Sequence, residues 1–415
     1  MLLDIYPRLH RRYSSLPLFG SLVEGFAGWL LEHGYHRDLV RTHLRATRRL
    51  DLRLRTLGCV RLPEITRGGL RTCAPSDSQD DIGLASVVRL WERFLDERHL
   101  LPKPEVTATD SLTFQYRAYL ERVRGASNST LNQHGWTASH FLLHIGYDVH
   151  PSCLAELSQG DIERYIRLRG QTSTRGSLQH EIGCLRSFLR FLASRGDARP
   201  GLDEQIDTPR LYRGEQLPRS LSWDTVRAFL RAIDRKSPIG LRDYAIFVMI
   251  ATYGLRASEI VTLKLDDIEW RSRILRVHQR KSGAPLLLPL TDVVGQSLVA
   301  YLRRARPQSS RREVFLRCRA PAGILKPTAI SEAFQHWTKH GRLSISFQGA
   351  HCLRHSYAVH LLRQGVGLKT IGDLLGHRNA ESTCVYIRLA VEDLREVALN
   401  LPSPRPRPRT AEPQS

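Results

Sequence analysis

The stretch from His351 to Tyr386 constrains the fold of this chain more than any other. Its first part reads HCLRHSYAVHLLRQG, in which His351 and Arg354 are three positions apart and therefore share one face of a helix. The same segment carries an apolar stripe formed by Tyr357, Ala358, Leu361 and Leu362. Gly365 follows as a C-terminal stop, because glycine readily adopts the left-handed conformation found there. The segment is predicted to be an amphipathic helix that presents His351 and Arg354.

The second part, LLGHRNAESTCVYIRL, places a histidine and a tyrosine just beyond another helix end. The apolar residues Leu368, Ile371, Leu374 and Leu375 predict a short amphipathic helix. Gly376 ends that helix, so His377 is expected at the edge of a loop, and Tyr386 comes nine residues later on a short helical run. Two histidines, an arginine and a tyrosine gathered at helix ends suit an anionic substrate better than a hydrophobic core.

Two upstream stretches add an arginine and a lysine. The run YGLRASEIVTLKLDDI carries Arg256 and Glu259. Farther along, RILRVHQRKSGAPLLLPL predicts a β-hairpin, because residues 274–277 and 286–290 flank a Ser-Gly turn at 282–283. Lys281 lies next to that turn.

Together these patterns resemble the C-terminal catalytic half of the tyrosine recombinases, the family of phage integrases and Xer-like enzymes. The resemblance rests on an H-x-x-R pair, an L-G-H turn with a tyrosine nine residues beyond it, a G-L-R-x-S-E run and a hairpin lysine, spread over about 130 residues. Single three-residue patterns recur by chance, whereas five in order with compatible spacing are specific. The family fold implied is mainly α-helical with a small β-hairpin or sheet, in which helical N-terminal domains precede an α+β catalytic domain.

The resemblance implies a catalytic set of six residues: Arg256, Lys281, His351, Arg354, His377 and Tyr386. Tyr386 is the expected nucleophile and would form a 3′-phosphotyrosyl link with DNA, which conserves the bond energy for resealing. Arg256 and Arg354 are always charged and would stabilise the extra negative charge of the transition state. No metal or other cofactor is implied.

Lys281 is the expected general acid for the departing 5′ oxygen, His351 the general base or proton shuttle for Tyr386, and His377 a donor to the phosphate. The neighbouring Arg280 is the alternative to Lys281 on the hairpin, although the spacing to the following Leu-Pro-Leu favours the lysine. Three further residues are interpreted as structural. These are His355 and His360, as hydrogen-bonded histidines, and Glu259, as a first-turn residue that orients Arg256.

The charge of the chain indicates the class of partner. With 415 residues, 62 Lys and Arg against 41 Asp and Glu give a formal net charge of +21, which favours nucleic acid. An acidic membrane is disfavoured, since no run of about 18 apolar residues and no signal peptide is present. Nearly all the positive charge is arginine, which suits phosphate contact, although a GC-rich coding bias is the favoured cause of the excess. Seven scattered cysteines without a C-x-x-C pair predict free thiols in a reducing cytoplasm.

The length suits several domains, and the pattern divides the chain as follows. We expect an N-terminal helical domain at 1–105, a core-binding helical domain at 107–198, a linker at 199–216, the catalytic domain at 217–399 and a disordered proline-arginine tail at 400–415. The first two domains align best at their last helices, where Trp91 pairs with Phe188 and Phe94 with Phe191. This alignment predicts an internal duplication, although two amphipathic helices also align by chance.

The first domain is interpreted as an accessory or arm-type DNA-binding domain, because its second helix carries five arginines: Arg45, Arg48, Arg49, Arg53 and Arg55. A solvated charged face or a protein-interaction module is the alternative. For the whole chain the resemblance implies a bacterial, cytoplasmic, nucleoid-associated DNA strand-transferase. It would act on double-stranded DNA as a homo-tetramer, with other recombinase subunits as further candidate partners, to integrate, excise or resolve a mobile element. A type IB topoisomerase-like nicking-closing enzyme and a catalytically decayed DNA-binding protein are the alternatives.

Overall fold

The computed structural model describes residues 10–74, 82–103, 105–210, 219–278, 285–346, 349–376 and 381–389. The chain forms two compact units. One combines residues 1–101 with 216–415, and the other spans 102–215. Within the described ranges, no helix is both long enough and apolar enough to cross a bilayer.

The N-terminal part of the first unit is all helical. Its helices are α1 (His10–Ser14), α2 (Val23–Glu32), α3 (Arg37–Thr56), α4 (Arg67–Thr72) and α5 (Ile82–Glu97), with a 3₁₀ turn at Leu62–Glu64. Trp91 of α5 is fully buried and stacks on Phe26 of α2 at a centroid distance of 4.0 Å. Its indole N–H donates to the Thr47 hydroxyl of α3 at 2.9 Å. One aromatic side chain therefore joins three helices.

The second unit is a separate helical bundle. It contains α6 (Ala108–Arg124), α7 (Asn128–His144), a 3₁₀ turn at Pro151–Leu154, α8 (Gln159–Thr172) and α9 (Arg175–Arg195). Glu181 of α9 is buried and accepts hydrogen bonds from the Tyr165 hydroxyl at 2.7 Å and the Arg169 guanidinium at 2.8 Å. A buried carboxylate is stable only with such partners, so these bonds fix α8 against α9.

The aromatic pairs aligned in the sequence occupy equivalent environments. Trp91 and Phe94 of α5 are buried in one helical core, and Phe188 and Phe191 of α9 are buried in the other. This agreement is consistent with a duplicated helical unit, which stays a prediction.

The first part of the expected linker is packed and not extended. Leu202 and Ile206 are buried in the core of the second unit. Arg186 of α9 donates to the carbonyl oxygens of Asp203, at 3.2 Å, and Ile206, at 2.5 Å. Polar and proline-rich composition predicted an open chain here, but two apolar side chains and one arginine hold the segment against α9. Residues 211–216 of the linker lie outside the described residues.

The C-terminal part of the first unit surrounds a small antiparallel sheet with helices. Its helices are α10 (Trp223–Ala232), α11 (Pro238–Tyr253), α12 (Ala257–Thr262), α13 (Asp292–Arg304), α14 (Pro327–His340), α15 (His351–Arg363), α16 (Leu368–Leu375) and α17 (Glu381–Cys384), followed by a 3₁₀ turn at Val385–Leu389. Its strands are β1 (Ile268–Glu269), β2 (Ile274–His278) and β3 (Pro285–Pro289), in the order β1-β2-β3. The predicted fold class is confirmed.

Local signals position several of these elements. The Ser222 hydroxyl caps α10 by accepting from the Thr225 N–H at 3.2 Å, as its place in the sequence predicts. The hairpin pairs Ile274 with Pro289 and His278 with Pro285. Its turn, residues 279–284, lies outside the described residues, as does the tail beyond Leu389.

The end of α11 contacts the hairpin, α15 and α16 in the C-terminal part of the first unit. The Tyr253 hydroxyl donates to the Pro289 carbonyl of β3 at 2.7 Å, which ties the helix to the hairpin. Gly254 then adopts a left-handed conformation with φ of 64°. A Cβ atom at this position would come within 2.7 Å of both Leu375 and Tyr357. Glycine is therefore required here for its backbone conformation and for the close approach of α15 and α16.

Candidate active site

Arg256 is held at the start of α12 by a carboxylate one turn ahead. Its guanidinium donates to Glu259 at 2.8 Å, and its backbone N–H donates to the same carboxylate at 2.8 Å. Glu259 is buried, whereas the Arg256 side chain keeps 28% of its surface exposed. The predicted role of Glu259 in orienting Arg256 is confirmed, and the guanidinium remains accessible to a ligand.

Arg354 is buried within the protein, with only 2% of its surface exposed. Its guanidinium donates to the Gly254 carbonyl oxygen at 2.5 Å and to the Leu375 carbonyl oxygen. Loss of hydration and then the charge of Arg256 lower the pKa of Arg354 to about 10, while Glu259 and Tyr386 act in the opposite direction. The residue stays charged at neutral pH, and two carbonyl groups at helix ends fix the orientation of its planar guanidinium group.

Tyr386 lies in the 3₁₀ turn that follows α17 and packs against α15, with 3% of its surface exposed. Its hydroxyl oxygen is 3.0 Å from Nδ1 of His355. Burial raises the pKa of the phenol, and the charges of Arg354 and then Arg256 oppose that shift. The hydroxyl therefore lies within electrostatic range of both arginines.

His351 stands at the N-terminus of α15 and is exposed at its outer edge. Loss of hydration on its inner side, followed by the charges of Arg354 and Arg256, lowers the pKa of His351. Glu259 opposes this shift. At neutral pH the imidazole is therefore uncharged and able to accept a proton.

Four of the six residues expected from the sequence come together at this place: Arg256, His351, Arg354 and Tyr386. Lys281 and His377 lie outside the described residues. The arrangement combines two fixed cations, a neutral histidine and a phenol. Such a group can bind an oxyanion and direct a nucleophile at it.

His355 was expected to be a structural, hydrogen-bonded histidine, and it does form a hydrogen bond, with the Tyr386 hydroxyl as a partner that the sequence did not indicate. Its imidazole also meets the His351 ring edge to face, with centroids 4.6 Å apart. The spacing of four between the two histidines places both on one helix face, and this was the available signal. His360, the other histidine interpreted as structural, stacks on Trp223 at 3.9 Å.

A second charged surface lies on α3 in the N-terminal part. Positions 41, 45, 48, 52 and 55 recur every three or four residues and form its outward face. Arg45 and Arg48 are exposed there and have no ion-pair partner in the described part of the chain. We call these two side chains the α3 arginine pair. Arg55, on the same face, is bound to the buried Asp51 at 3.1 Å.

Comparison with known protein families gives two matches. The phage integrase family model covers residues 219–393, and the model of the phage integrase N-terminal SAM-like domain covers residues 114–196. All four of the residues gathered at the site fall within the first match.

Two relatives represent the similarity along the chain. A Sinorhizobium fredii protein named "Putative integrase/recombinase" is 30% identical over 384 residues, which cover 91% of this chain and 93% of the relative. Tyrosine recombinase XerC of Pelotomaculum thermopropionicum is 29% identical over 297 residues, covering 68% of this chain and 94% of that protein.

Solved structures share the fold. XerH recombinase bound to a palindromic difH substrate aligns with a TM-score of 0.53 at 15% identity, over 80% of this chain and 92% of that chain. A fragment of lambda integrase, solved as a dimer bound to a core site, aligns with a TM-score of 0.52 at 18% identity, over 66% and 94%. The family matches, the near full-length relative and the shared fold lead to one conclusion: this chain belongs to the phage integrase family of tyrosine recombinases, whose members are DNA strand-transferases.

Proposed function

We propose that this chain is a site-specific recombinase that cuts and rejoins double-stranded DNA through a covalent bond between Tyr386 and a 3′ phosphate. The observation that carries this proposal is the packing of Tyr386 against α15, the helix that holds Arg354, where the charges of Arg354 and Arg256 act on the phenol. A phosphate bound between those arginines would lie next to a nucleophile, and such proximity lowers the barrier to attack.

The two arginines have complementary parts in this mechanism. Attack on phosphorus passes through a pentacoordinate state with extra negative charge on its non-bridging oxygens. Arg354 is held rigidly by two carbonyls, and Arg256 is partly exposed and paired with the buried Glu259. Donors already in place cost no reorganisation when the charge develops, so each is expected to contribute a few kcal/mol to transition-state binding.

The remaining steps concern protons. Departure of the 5′ oxygen requires a proton, for which Lys281 on the hairpin is the proposed general acid. His377 is the proposed donor to the bound phosphate. His351, neutral at pH 7 and open to the surface, is the proposed proton shuttle at the edge of the site.

The nucleophile has to be uncovered before it reacts. Tyr386 is nearly enclosed by protein, so a phosphorus atom gains access to its hydroxyl only when the short segment at 381–389 shifts. DNA binding is the natural trigger, because it brings the negative charge that this basic site lacks.

Covalent trapping tests the proposal. A nicked suicide substrate carrying the native site loses its short 5′ fragment after cleavage, so the tyrosyl link persists and migrates as a protein–DNA adduct. We expect an adduct with the wild type and none with Tyr386→Phe, which should still bind DNA. Absence of an adduct with the wild type would favour the decayed DNA-binding protein, and relaxation of a supercoiled plasmid lacking the site would favour a topoisomerase.

We propose further that four copies act on two duplexes. The lambda integrase fragment above was solved as a DNA-bound dimer, which supports assembly on DNA as a family trait. The apolar residues Leu389, Leu394, Val397 and Leu401 predict an amphipathic helix at 389–401, the candidate segment for contact with a neighbour. Residues 390–401 lie outside the described residues. Mass photometry with two duplexes should give a species of four chains, and species of one or two chains only would contradict it.

The N-terminal part is proposed as an accessory DNA-binding domain. The α3 arginine pair supports this proposal, because two unpaired guanidinium groups on one helix face can each contact a phosphate. The action of the whole enzyme would be to integrate, excise or resolve a mobile element.

A further inference from the structure

His355 and Tyr386 form a contact that joins a proton acceptor to the proposed nucleophile. Nδ1 of His355 is 3.0 Å from the phenol oxygen, and the two ring centroids are 5.6 Å apart. The residues are 31 positions apart in the sequence, so packing of the 3₁₀ turn at 385–389 on α15 creates this contact.

A buried phenol needs such an acceptor in order to attack. Burial raises the pKa of Tyr386, and the opposing charges of Arg354 and Arg256 do not cancel that shift. Near neutral pH the phenol therefore keeps its proton until a base removes it. A base is effective only within hydrogen-bond distance of the proton that it accepts, a requirement that His355 meets.

His351 is placed differently. It lies one helical turn before His355 and meets its ring edge to face. In the described part of the chain no hydrogen bond joins His351 to Tyr386. His351 is exposed, and the charges of Arg354 and Arg256 act on it, so it can reach a phosphate bound at those arginines.

We propose that His355 positions the Tyr386 hydroxyl and accepts its proton during cleavage, which leaves His351 free to act at the phosphate. This inference rests on the proposed recombinase function. For Nδ1 to accept, the neutral imidazole must carry its proton on Nε2.

During cleavage the phenol oxygen forms a bond to phosphorus, and the bond from phosphorus to the 5′ oxygen breaks. The phenol proton moves to Nδ1 of His355. The leaving 5′ oxygen takes its proton from the separate general acid. On rejoining, the 5′ oxygen forms its bond to phosphorus and its hydroxyl proton returns to the general acid. The bond from phosphorus to the phenol oxygen breaks, and the departing phenolate recovers its proton from His355, so the site returns to its initial state.

The groups that face this pair determine its pH dependence. His351 and Arg354 face it from α15, Arg256 faces it from the start of α12, and Glu259 reaches it through Arg256. The arginines are always charged, and imidazole is the side chain of this set whose ordinary pKa lies near neutrality. Protonation of the accepting histidine removes the base, and cleavage should therefore weaken as the pH falls.

The experiment measures single-turnover cleavage of the suicide substrate against pH for full-length wild type, His355→Gln and His351→Gln. His360→Gln is the matched control, because it makes the same change on the same helix at the Trp223 side. We expect His355→Gln to bind DNA normally and to cleave about 10²-fold more slowly. It should also lose the acidic limb of the pH profile, which His351→Gln should retain.

A second substrate distinguishes the loss of a general base from the loss of a general acid. With sulfur in place of the bridging 5′ oxygen, the leaving group needs no protonation, so loss of a general acid is rescued and loss of a base is not. His355→Gln should stay slow on this substrate. Imidazole added to His355→Ala should restore part of the rate, because it supplies a base to the vacated position.

Three results would overturn the assignment. These are wild-type rates and pH profile in His355→Gln, rescue of that variant by the sulfur substrate, and loss of DNA binding in both His355 variants, which would make the residue structural. Failure of the recombinase function itself gives a different result, since the wild type would then form no adduct at any pH.

Discussion

Arginine side chains occur in opposite surroundings in the two regions that we propose to bind DNA. Arg354 is buried and donates to two carbonyl oxygens, so its position is fixed before any ligand arrives. The α3 arginine pair, Arg45 and Arg48, is exposed to solvent. A fixed guanidinium can distinguish a transition state from a ground state, whereas a mobile exposed one adds attraction to any phosphate.

The difference shows that the arginines that contribute to the net charge of +21 serve separate functions. Exposed arginines contribute an affinity for DNA that falls as the salt concentration rises. Most of them do not need a defined geometry for this. The site arginines contribute to rate, and each depends on backbone placed by a helix end or a glycine. Arg256 is intermediate between these cases, because it is partly exposed and paired with a buried carboxylate.

The largest effect is expected from Arg354→Lys. Lysine keeps the charge, but it is a single-point donor and cannot repeat the paired bonds to Gly254 and Leu375. Cleavage of the suicide substrate should fall by about 10²–10³-fold with little change in DNA binding. Arg312→Lys, an exposed arginine paired with Asp266, is the control and should cleave normally. Equal rates in the two variants would remove the distinction between buried and exposed arginines.

A smaller effect is expected from Glu259→Gln. Glutamine can still accept from the Arg256 backbone N–H, but the charged bond to the guanidinium weakens. Cleavage should fall about tenfold, the equivalent of about 1.4 kcal/mol. Glu64→Gln is the control, because Arg61 and Glu64 form the same pair on an exposed turn of the N-terminal part. If both variants cleave at the wild-type rate, Glu259 does not orient Arg256 for catalysis.

The double change Arg45→Ser with Arg48→Ser should act on affinity alone. The slope of log binding constant against log salt should become shallower by about 2, close to 0.9 for each lost phosphate contact. Cleavage at saturating protein should not change. Arg61→Ser with Arg71→Ser removes the same charge from two exposed arginines paired with Glu64 and Glu92. An identical slope change in that control would mean that overall charge, and not the α3 surface, binds the DNA.

The smallest effect is expected from Arg312→Gln. Its ion pair with Asp266 is exposed on both sides, and solvent screens such pairs. Thermal unfolding and cleavage should both match the wild type. A clear loss of melting temperature would show that this exposed pair contributes to stability and would weaken the comparison with Arg354.

Short-range patterns in the sequence were sufficient to predict many of the helices and strands. The end of α16 at Gly376, the cap of α10 at Ser222 and the two strands of the hairpin depend on neighbours a few positions away. Hydrophobic periodicity and helix capping are local properties, so they can be recognised in the sequence before any tertiary contact is known. The order of the motifs likewise identified the family and predicted four residues that the structure gathers: Arg256, His351, Arg354 and Tyr386.

Only the tertiary structure decided which groups touch. The contact of His355 with Tyr386, the anchoring of Arg354 by Gly254 and Leu375, and the packing of residues 199–210 on α9 all join positions distant in the sequence or follow no local pattern. The sequence placed two histidines on one face of α15 but could not say which one meets the phenol. That choice depends on how the turn at 385–389 packs on α15. The two histidines are only one helical turn apart, so a shift of the turn by that distance would bring the phenol to the other histidine.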